Sequence, residues 1–340
     1  MQNKTIALFP GQGSQFVGMG KDLLDNFKIA GEAFEEASEA VKKDLKKLCL
    51  EGPESELVLT ENTQPCLLVT SVAAFRVMVK ETGFQPAVVA GHSLGEYSAL
   101  VAAGALPLST AAYWVRERGR AMQIAVPAGQ GTMAAVMGLE DAQVSSLCEK
   151  ATAAAKAKRA PGSEHSVEAV VEPANYNAPG QIVIAGSTDA VAEAIALIKA
   201  GGDFAGGKAI PLSVSAPFHC RLMRAARDRM AGLFSGAAPA DQPKTPICPY
   251  IPNRTGRMTR EPGVIFELLV EQVDHPVLWK QSMTHLIELG YTTGIEFGPG
   301  KVLAGLAKRI AQAAGGSLTV QSMGDSTQLK ALSAQSGASS

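Results

Sequence analysis

Apolar and polar positions alternate in blocks along the first 125 residues, and these blocks predict strands and helices in turn. Short apolar runs at residues 6–9 and 87–90 have the length and composition of buried strands. Stretches of helical length predict helices over residues 27–50, 65–80 and 109–126. This alternation favours an α/β sheet that is covered by helices on both faces.

The pattern changes after residue 128, where strand-like and helix-like segments follow in the order β-α-β-β-α-β. The segments are strand 133–137, helix 141–153, strands 167–171 and 181–185, helix 189–200 and strand 209–214. This order is the split βαβ arrangement of a ferredoxin-like unit. A polar loop at residues 156–166 follows the first of these helices, and its sequence assigns it no task.

The two patterns together predict two domains. A small ferredoxin-like domain at 129–208 is inserted into a large α/β domain made of residues 1–128 and 209–332. Residues 333–340 are rich in serine, glycine and alanine, and this composition predicts a disordered tail.

A Gly-x-Ser-x-Gly pentapeptide, formed by residues 91–95, follows the second predicted strand and precedes a helix-like stretch. This context is typical of a nucleophile elbow, in which Ser93 lies on a sharp turn from strand to helix. Gly91 and Gly95 are required because the two backbones approach closely there. The backbone N–H of Leu94, at the start of the helix, then points toward the oxygen of an acyl group under attack.

A serine hydroxyl needs a base, usually a histidine, within hydrogen-bond reach. His219 follows the strand that returns to the large domain, where a loop over the sheet edge would carry it. We expect His92 to line the site but to leave the turn in the wrong direction, His165 to be solvated, and His275 and His285 to be structural. The sequence therefore favours His219 as the base.

An acyl oxyanion needs two donors, and the Leu94 N–H supplies one of them. The glycine-rich loop at residues 9–15 is a source for the second, because loops at strand ends share one rim of an α/β sheet. The alternative reading of this loop, from its composition alone, is a simple turn.

Three arginines, Arg116, Arg118 and Arg120, are spaced by two residues and cannot all share one helical face. One of them can face inward while the others are solvated. A buried guanidinium needs an anionic partner, and the carboxylate of a substrate would serve as a bidentate one.

The sequence offers no obvious acid to complete a Ser-His-Asp triad. Aspartates that lie between the serine and the histidine fall in the small domain, and others follow the histidine: Asp141, Asp189, Asp203, Asp228 and Asp274. A backbone carbonyl or a side-chain amide can orient the imidazole instead, and either would leave a dyad.

Composition narrows the class of protein further. The 340 residues include 31 basic and 32 acidic side chains, so nothing favours nucleic acid or an anionic membrane as a partner. The scattered cysteines lack metal-binding spacing and predict isolated thiols in a reducing compartment: Cys49, Cys66, Cys148, Cys220 and Cys248. No signal pattern or membrane-spanning run is evident, so we expect a cytoplasmic protein without a metal or cofactor.

Motifs that run through most of the length, from Phe9 to Ile310, resemble those of the malonyl-CoA:acyl carrier protein transacylases and the acyltransferase domains of fatty-acid and polyketide synthases (PKS). The matching segments are 9–15 (FPGQGSQ), 63–65 (TQP), 91–98 (GHSLGEYS), 118–123 (RGRAMQ), 175–186 (NYNAPGQIVIAG), 216–220 (APFHC) and 298–303 (GPGKVL). The resemblance implies an α/β-hydrolase-like large domain with a ferredoxin-like insert, in agreement with the pattern above.

The resemblance also implies a ping-pong transfer. Ser93, activated by His219, would take the malonyl group from coenzyme A, and the phosphopantetheine thiol of holo acyl carrier protein would then remove it. Gln12 matches the family's second oxyanion donor, through its backbone N–H beside that of Leu94. Arg118 matches the arginine that pairs with the malonyl carboxylate.

Other matches concern the walls of the site. Gln272 matches the glutamine whose backbone carbonyl orients the histidine, which would account for the missing acid. Gln64, His92 and Asn177 match or accompany residues that line the site. Phe218 resembles the malonyl-selecting pattern of modular synthases, although many free-standing members carry serine there.

Several functions follow as alternatives. The leading one is a monomeric malonyltransferase that supplies fatty-acid synthesis, and a trans-acting acyltransferase of a polyketide assembly line is similar in chemistry. A thioesterase or lipase-like hydrolase is disfavoured by Arg118 and by the absent acid. A non-catalytic scaffold for carrier protein is disfavoured because the residues needed for turnover are present.

Overall fold

Two β-sheets organise the computed structural model, which describes residues 4–159 and 167–337. The elements are β1 (Thr5–Phe9), α1 (Lys21–Asn26), α2 (Lys28–Val41), α3 (Leu45–Glu51), α4 (Glu54–Leu57), α5 (Thr60–Thr82), β2 (Val88–Gly91), α6 (Gly95–Ala102), α7 (Leu108–Ile124), β3 (Gly131–Met137), α8 (Asp141–Lys158), β4 (Val171–Ala178), β5 (Gln181–Ser187), α9 (Thr188–Ala200), β6 (Lys208–Pro211), α10 (Arg224–Ser235), β7 (Tyr250–Ile251), α11 (Ile265–Gln272), α12 (Trp279–Glu288), β8 (Thr293–Phe297), α13 (Val302–Ala313), β9 (Thr319–Met323) and α14 (Ser326–Gly337).

The larger unit is built on a parallel five-stranded sheet with the strand order β7-β2-β1-β8-β9. Phe9 at the end of β1 pairs with Gly91 at the end of β2. Because the carboxyl ends of these strands are adjacent, the glycine-rich loop after β1 and the turn after β2 lie at the same rim.

The helices around this sheet form because apolar side chains need cover on both of its faces. α5 is buried along most of its length and packs against α2, α6 and α7. On the other face, α13 is amphipathic and buries Leu303, Leu306 and Ile310. The strand ends at this rim are therefore supported by buried apolar side chains on both faces of the sheet.

The smaller unit is an antiparallel four-stranded sheet with the order β4-β5-β3-β6, covered by α8 and α9. It has a hydrophobic core of its own, which includes Val136, Leu147, Ile184 and Val191. The predicted β-α-β-β-α-β order is present, and the predicted fold class of a large α/β domain with a small antiparallel domain is confirmed.

Some predicted elements differ from the structure. The strand expected at 167–171 lies instead at Val171–Ala178, where polar side chains and two irregularities in its pairing with β5 hide the strand pattern. The helix expected over 27–50 is two helices, because Lys42 adopts a left-handed conformation with φ of 51° between them.

The predicted disordered tail is also corrected. Residues 333–337 continue α14, which is anchored by Leu329 and Leu332 in the large hydrophobic core. At its start, Ser326 donates hydrogen bonds from its N–H and its hydroxyl to Asp22. Residues 338–340 lie outside the described residues, as does the part of the polar loop at 160–166 with His165.

Candidate active site

Ser93 lies on a strained turn between β2 and α6. Its φ is 51°, in the left-handed region that non-glycine residues rarely adopt. A Cβ at position 91 would come within 1.9 Å of the Gly95 carbonyl oxygen, and one at position 95 within 2.1 Å of the Phe9 oxygen. The glycines of the pentapeptide are therefore required by close backbone contact, and the turn has the geometry of a nucleophile elbow.

His219 is in hydrogen-bond contact with the elbow serine. The distance between Ser93 Oγ and His219 Nε2 is 2.7 Å, and that between His219 Nδ1 and the Gln272 carbonyl oxygen is 2.8 Å. A carbonyl oxygen only accepts, so Nδ1 carries the proton and Nε2 accepts from the serine hydroxyl. This tautomer is the one that a general base needs.

Burial keeps His219 neutral. Its side chain is almost completely buried, and this desolvation, together with the charge of Arg118, lowers its pKa to about 3. The imidazole is therefore available as a proton acceptor at neutral pH. It becomes a cation only while it carries the proton that it has taken from a reacting group.

Carboxylates do not orient this histidine in the part of the chain that the structure describes. Four of the five aspartates considered above pair elsewhere, Asp141 with Lys280, Asp189 with Arg159, Asp203 with Lys150, and Asp274 with His275 and Arg227. The Gln272 carbonyl fills the position of the acid. Ser93 and His219 therefore form a dyad in which a backbone carbonyl orients the imidazole.

Arg118 is the inward-facing member of the three arginines and is 1% exposed. Its Nη1 donates to Gln64 Oε1 at 2.9 Å, and its Nη2 donates to Ser93 Oγ at 3.0 Å and to Gln272 Oε1 at 2.7 Å. Arg120 instead pairs with Glu61 and Glu117 near the surface. A buried cation thus lies directly beside the nucleophile.

The side chain of Gln272 connects several parts of the site, a role that its backbone contact did not predict. Its Oε1 accepts from Arg118, and its Nε2 donates to the Ser93 carbonyl at 2.9 Å and to Glu96 Oε2 at 2.7 Å. Burial raises the pKa of Glu96 to about 7, and the hydrogen bonds from Asn253 and Gln272 and the charge of Arg118 oppose this rise.

Asn253 also contacts the elbow, and the sequence analysis did not identify it. Its Oδ1 accepts from the Ser93 N–H at 2.6 Å, and its Nδ2 donates to the Gly91 carbonyl at 2.7 Å. Its own backbone N–H donates to Glu96. These contacts hold the elbow from outside, but Asn253 is 160 residues from Ser93 in the chain, so no local signal points to it.

His92 and Asn177 form the contact between the elbow and the small unit. His92 Nε2 and Asn177 Oδ1 are 2.8 Å apart, so this ring nitrogen donates to the amide oxygen. The His92 ring packs against Trp279. Burial lowers the pKa of His92, so its ring is neutral. Among the described residues, the hydrogen bond of the His92 side chain is thus to Asn177 and not to Ser93.

The two backbone groups expected to bind an oxyanion lie at the same rim. A Cβ at Gly11 would come within 2.7 Å of the His92 carbonyl oxygen, so the loop that carries Gln12 lies against the elbow. Within the described residues, the N–H groups of Gln12 and Leu94 donate to no other group. Both are available to a ligand.

A cleft of about 390 Å³ opens at His219 between the two units. Its lining includes Arg221, Arg224 and Arg227, together with Glu172 and Asp274, which pair with Arg221 and Arg227. Phe218, beside His219, is buried in the large hydrophobic core. The described residues contain no cluster of three or more side chains that could hold a metal ion, and no helix in this part of the chain is long and apolar enough to cross a bilayer.

Comparison with known proteins identifies the family. Residues 7–325 match the acyl transferase domain family. The malonyl CoA-acyl carrier protein transacylase of Bacillus subtilis strain 168 is 44% identical over 308 residues, which cover 91% of this chain and 90% of that protein.

Solved structures agree with this assignment. The acyl-carrier-protein S-malonyltransferase of Burkholderia pseudomallei 1710b is 41% identical, with a TM-score of 0.86 and coverage of 97% of this chain and 99% of that one. A malonyl-transacylase solved in complex with its type II PKS acyl-carrier protein is 37% identical, with a TM-score of 0.87 and coverage of 98% and 100%. The chain belongs to the acyl transferase domain family, in the group of the malonyl CoA-acyl carrier protein transacylases.

Proposed function

We propose that this enzyme transfers the malonyl group from malonyl-CoA to the phosphopantetheine thiol of acyl carrier protein, through an ester on Ser93. The observation that carries the proposal is the position of Arg118, a buried cation 3.0 Å from the nucleophile of a Ser-His dyad. An acyl group that bears a carboxylate fits this site, because the guanidinium offers it a bidentate partner.

In the first half-reaction, His219 Nε2 takes the proton of the Ser93 hydroxyl as Oγ attacks the thioester carbonyl. The backbone N–H groups of Gln12 and Leu94 stabilise the oxyanion of the tetrahedral intermediate. The carbon–sulfur bond then breaks, and His219 returns the proton to the departing thiol of coenzyme A. The products are malonyl-Ser93 and free coenzyme A.

The second half-reaction repeats these steps with the carrier protein. His219 takes the proton of the phosphopantetheine thiol, and its sulfur attacks the ester carbonyl. Ser93 leaves and recovers its proton from His219. The Gln272 carbonyl holds the imidazole in the same tautomer throughout, so one base serves both directions of proton transfer.

The site favours transfer over hydrolysis because its polar groups engage one another rather than water. Gln64, Gln272 and Arg118 form a connected, buried set. Water is thereby kept from the ester until a thiol enters.

The partners follow from this reaction. Coenzyme A and the phosphopantetheine arm both carry phosphate, and Arg224 in the cleft at His219 offers a cation to it. The enzyme uses no metal or cofactor. It works in the cytoplasm, where malonyl-CoA and holo acyl carrier protein would be found.

Phe218 supports a narrower substrate range. Its bulk beside His219 leaves little room for an α-methyl branch, so malonyl is preferred over methylmalonyl. Malonyl units delivered in this way supply fatty-acid synthesis. The similarity to a transacylase solved with a type II PKS carrier supports delivery to a polyketide carrier as the second candidate.

A partition assay tests the proposal. The enzyme is incubated with malonyl-CoA and holo acyl carrier protein, and malonyl-carrier and free malonate are measured in parallel with methylmalonyl-CoA and acetyl-CoA. We expect malonyl-carrier as the main product and malonyl as the preferred acyl group. Free malonate as the main product would mean that the enzyme is a hydrolase.

A further inference from the structure

Glu96 is a fully buried carboxylate three residues after the nucleophile, and nothing in the reaction above uses it. Its Oε2 accepts from Gln272 Nε2 at 2.7 Å and from the Asn253 N–H at 3.0 Å. Its Oε1 is buried without a hydrogen-bond partner among the described residues. A buried carboxylate is costly unless it is compensated, so its place beside the dyad requires a reason.

The Gln272 amide lies between Glu96 and Arg118. Its Oε1 accepts from the guanidinium at 2.7 Å, and its Nε2 donates to the carboxylate at 2.7 Å. All three hydrogen-bond acceptors of Arg118 are neutral, namely Gln64 Oε1, Gln272 Oε1 and Ser93 Oγ. The two opposite charges are therefore near each other but separated by one amide.

This separation has an electrostatic consequence. A guanidinium in a direct ion pair would already hold a carboxylate and would bind a second one weakly. A guanidinium without any counter-charge would be costly to bury in the free enzyme. The interposed amide avoids both problems. The charge of Glu96 balances the charge of Arg118 through Gln272, while the neutral acceptors of Arg118 can still be replaced by a substrate carboxylate.

We propose that Glu96 is a positioning residue for Arg118, which balances the guanidinium charge through Gln272 in the free enzyme and takes a proton when the malonyl carboxylate binds. The inference rests on the proposed function. The proton comes from water and goes to Oε1, since Oε2 already accepts two hydrogen bonds. One guanidinium then faces one charged carboxylate in both states.

The surroundings of Glu96 agree with this proton uptake. The titratable groups that face it are Tyr97 on its own helix, Arg118 on α7 and Tyr250 on β7. Burial raises the pKa of both tyrosines, so they stay neutral and Arg118 is the charge that Glu96 faces. Burial also raises the pKa of Glu96 to about 7, and a second carboxylate beside Arg118 raises it further.

The wild-type enzyme provides the first test. The ratio of kcat/KM for malonyl-CoA to kcat/KM for acetyl-CoA is measured from about pH 6 to about pH 9, and both substrates pass through His219, so its titration cancels. We expect the ratio to fall as the pH rises through about 7, approaching about tenfold per pH unit for one proton taken up. A constant ratio, with malonyl transfer intact, would overturn the inference.

Glu96→Gln gives the second test, because glutamine keeps the shape and cannot take up the proton. We expect its ratio to be independent of pH. The matched control is Glu296→Gln, since Glu296 is also fully buried with a raised pKa but accepts from the N–H groups of Leu303 and Ala304 on α13. This control should keep the wild-type fall.

Each outcome is decisive. A fall that persists in Glu96→Gln, or one that disappears equally in Glu296→Gln, contradicts the role of Glu96. If Glu96→Gln does not fold, the wild-type profile alone decides. Absence of malonyl transfer at every pH would overturn the proposed function, and the inference with it, which separates that failure from a constant ratio.

Discussion

The active rim of the large unit and the body of the small unit use charge in opposite ways. At the rim, Arg118, Glu96 and His219 are buried, and each forms hydrogen bonds with Ser93 or Gln272. In the small unit, ion pairs lie near the surface, and in the Lys158–Glu193 pair between α8 and α9 the lysine side chain is 70% exposed and the glutamate 20%. Substitutions at the rim should therefore change chemistry, and those in the small unit should change little.

The difference has a physical basis. A buried polar group that loses its partner pays its full desolvation cost, whereas an exposed ion pair exchanges one partner for water. Among the described residues, Asn177 of the small unit forms a hydrogen bond with His92 of the elbow and not with Ser93 or His219. It forms a wall of the site and carries none of the proton transfers.

The largest effect is expected for His219→Ala at the rim. Removal of the base should lower kcat/KM for malonyl transfer by at least about a thousandfold, since Ser93 then has no proton acceptor. Initial rates measure this. His285→Ala is the control, because His285 is a surface histidine paired with Arg257. Comparable losses in both variants would remove His219 from its role.

Arg118→Ala should lower malonyl transfer by roughly 100- to 1,000-fold and acetyl transfer much less, because only the malonyl group loses a charged partner. Steady-state rates with both thioesters give this split. Arg120→Ala, which removes a partly exposed arginine on the same helix, should change neither rate by much. An equal loss of both activities in Arg118→Ala would contradict the carboxylate contact.

A smaller effect is expected for Asn177→Ala, which tests the hydrogen bond from the small unit to the elbow. Loss of a neutral hydrogen bond to His92 costs about 1 kcal/mol, so kcat/KM should fall by no more than about fivefold, the value reached when the whole cost falls on the transition state. Asn26→Ala, at a surface hydrogen bond to the Asp22 carbonyl, is the control. A loss as large as that of His219→Ala would show that the small unit takes part in the chemistry.

Lys158→Ala should have the smallest effect. Lys158 is largely exposed in its pair with Glu193, so its removal should change the free energy of unfolding by no more than about 0.5 kcal/mol and leave transfer rates unchanged. Urea unfolding together with the transfer assay measures both. A clear loss of activity would contradict the division between the two units.

The sequence predicts the elbow well because its requirements are local. Gly91 and Gly95 are needed for backbone contact within the pentapeptide and with β1, and Ser93 follows from their spacing. His219 could be predicted by elimination among few histidines. These features depend on short segments whose residue types have narrow physical roles.

Other features depend on distant parts of the chain and could not be predicted. Asn253 and Glu96 meet across 157 residues, and the Gln272 side chain reaches Glu96 across 176. The predicted position of β4 differs from the observed one because its polar side chains and its irregular pairing with β5 hide the alternation of a strand. The composition of the C-terminal segment does not predict α14, because the helix is stabilised by the packing of Leu329 and Leu332 in the large hydrophobic core.

The central claim is that Ser93 holds the malonyl group between two thiols, and the direct measurement is the site and fate of the acyl adduct. The enzyme is mixed with malonyl-CoA, analysed by intact mass and peptide mapping, and then mixed with holo acyl carrier protein. We predict one malonyl ester on Ser93, absent from Ser93→Ala, that passes to the carrier faster than to water. An adduct on another residue, or one that persists in Ser93→Ala, would contradict the account.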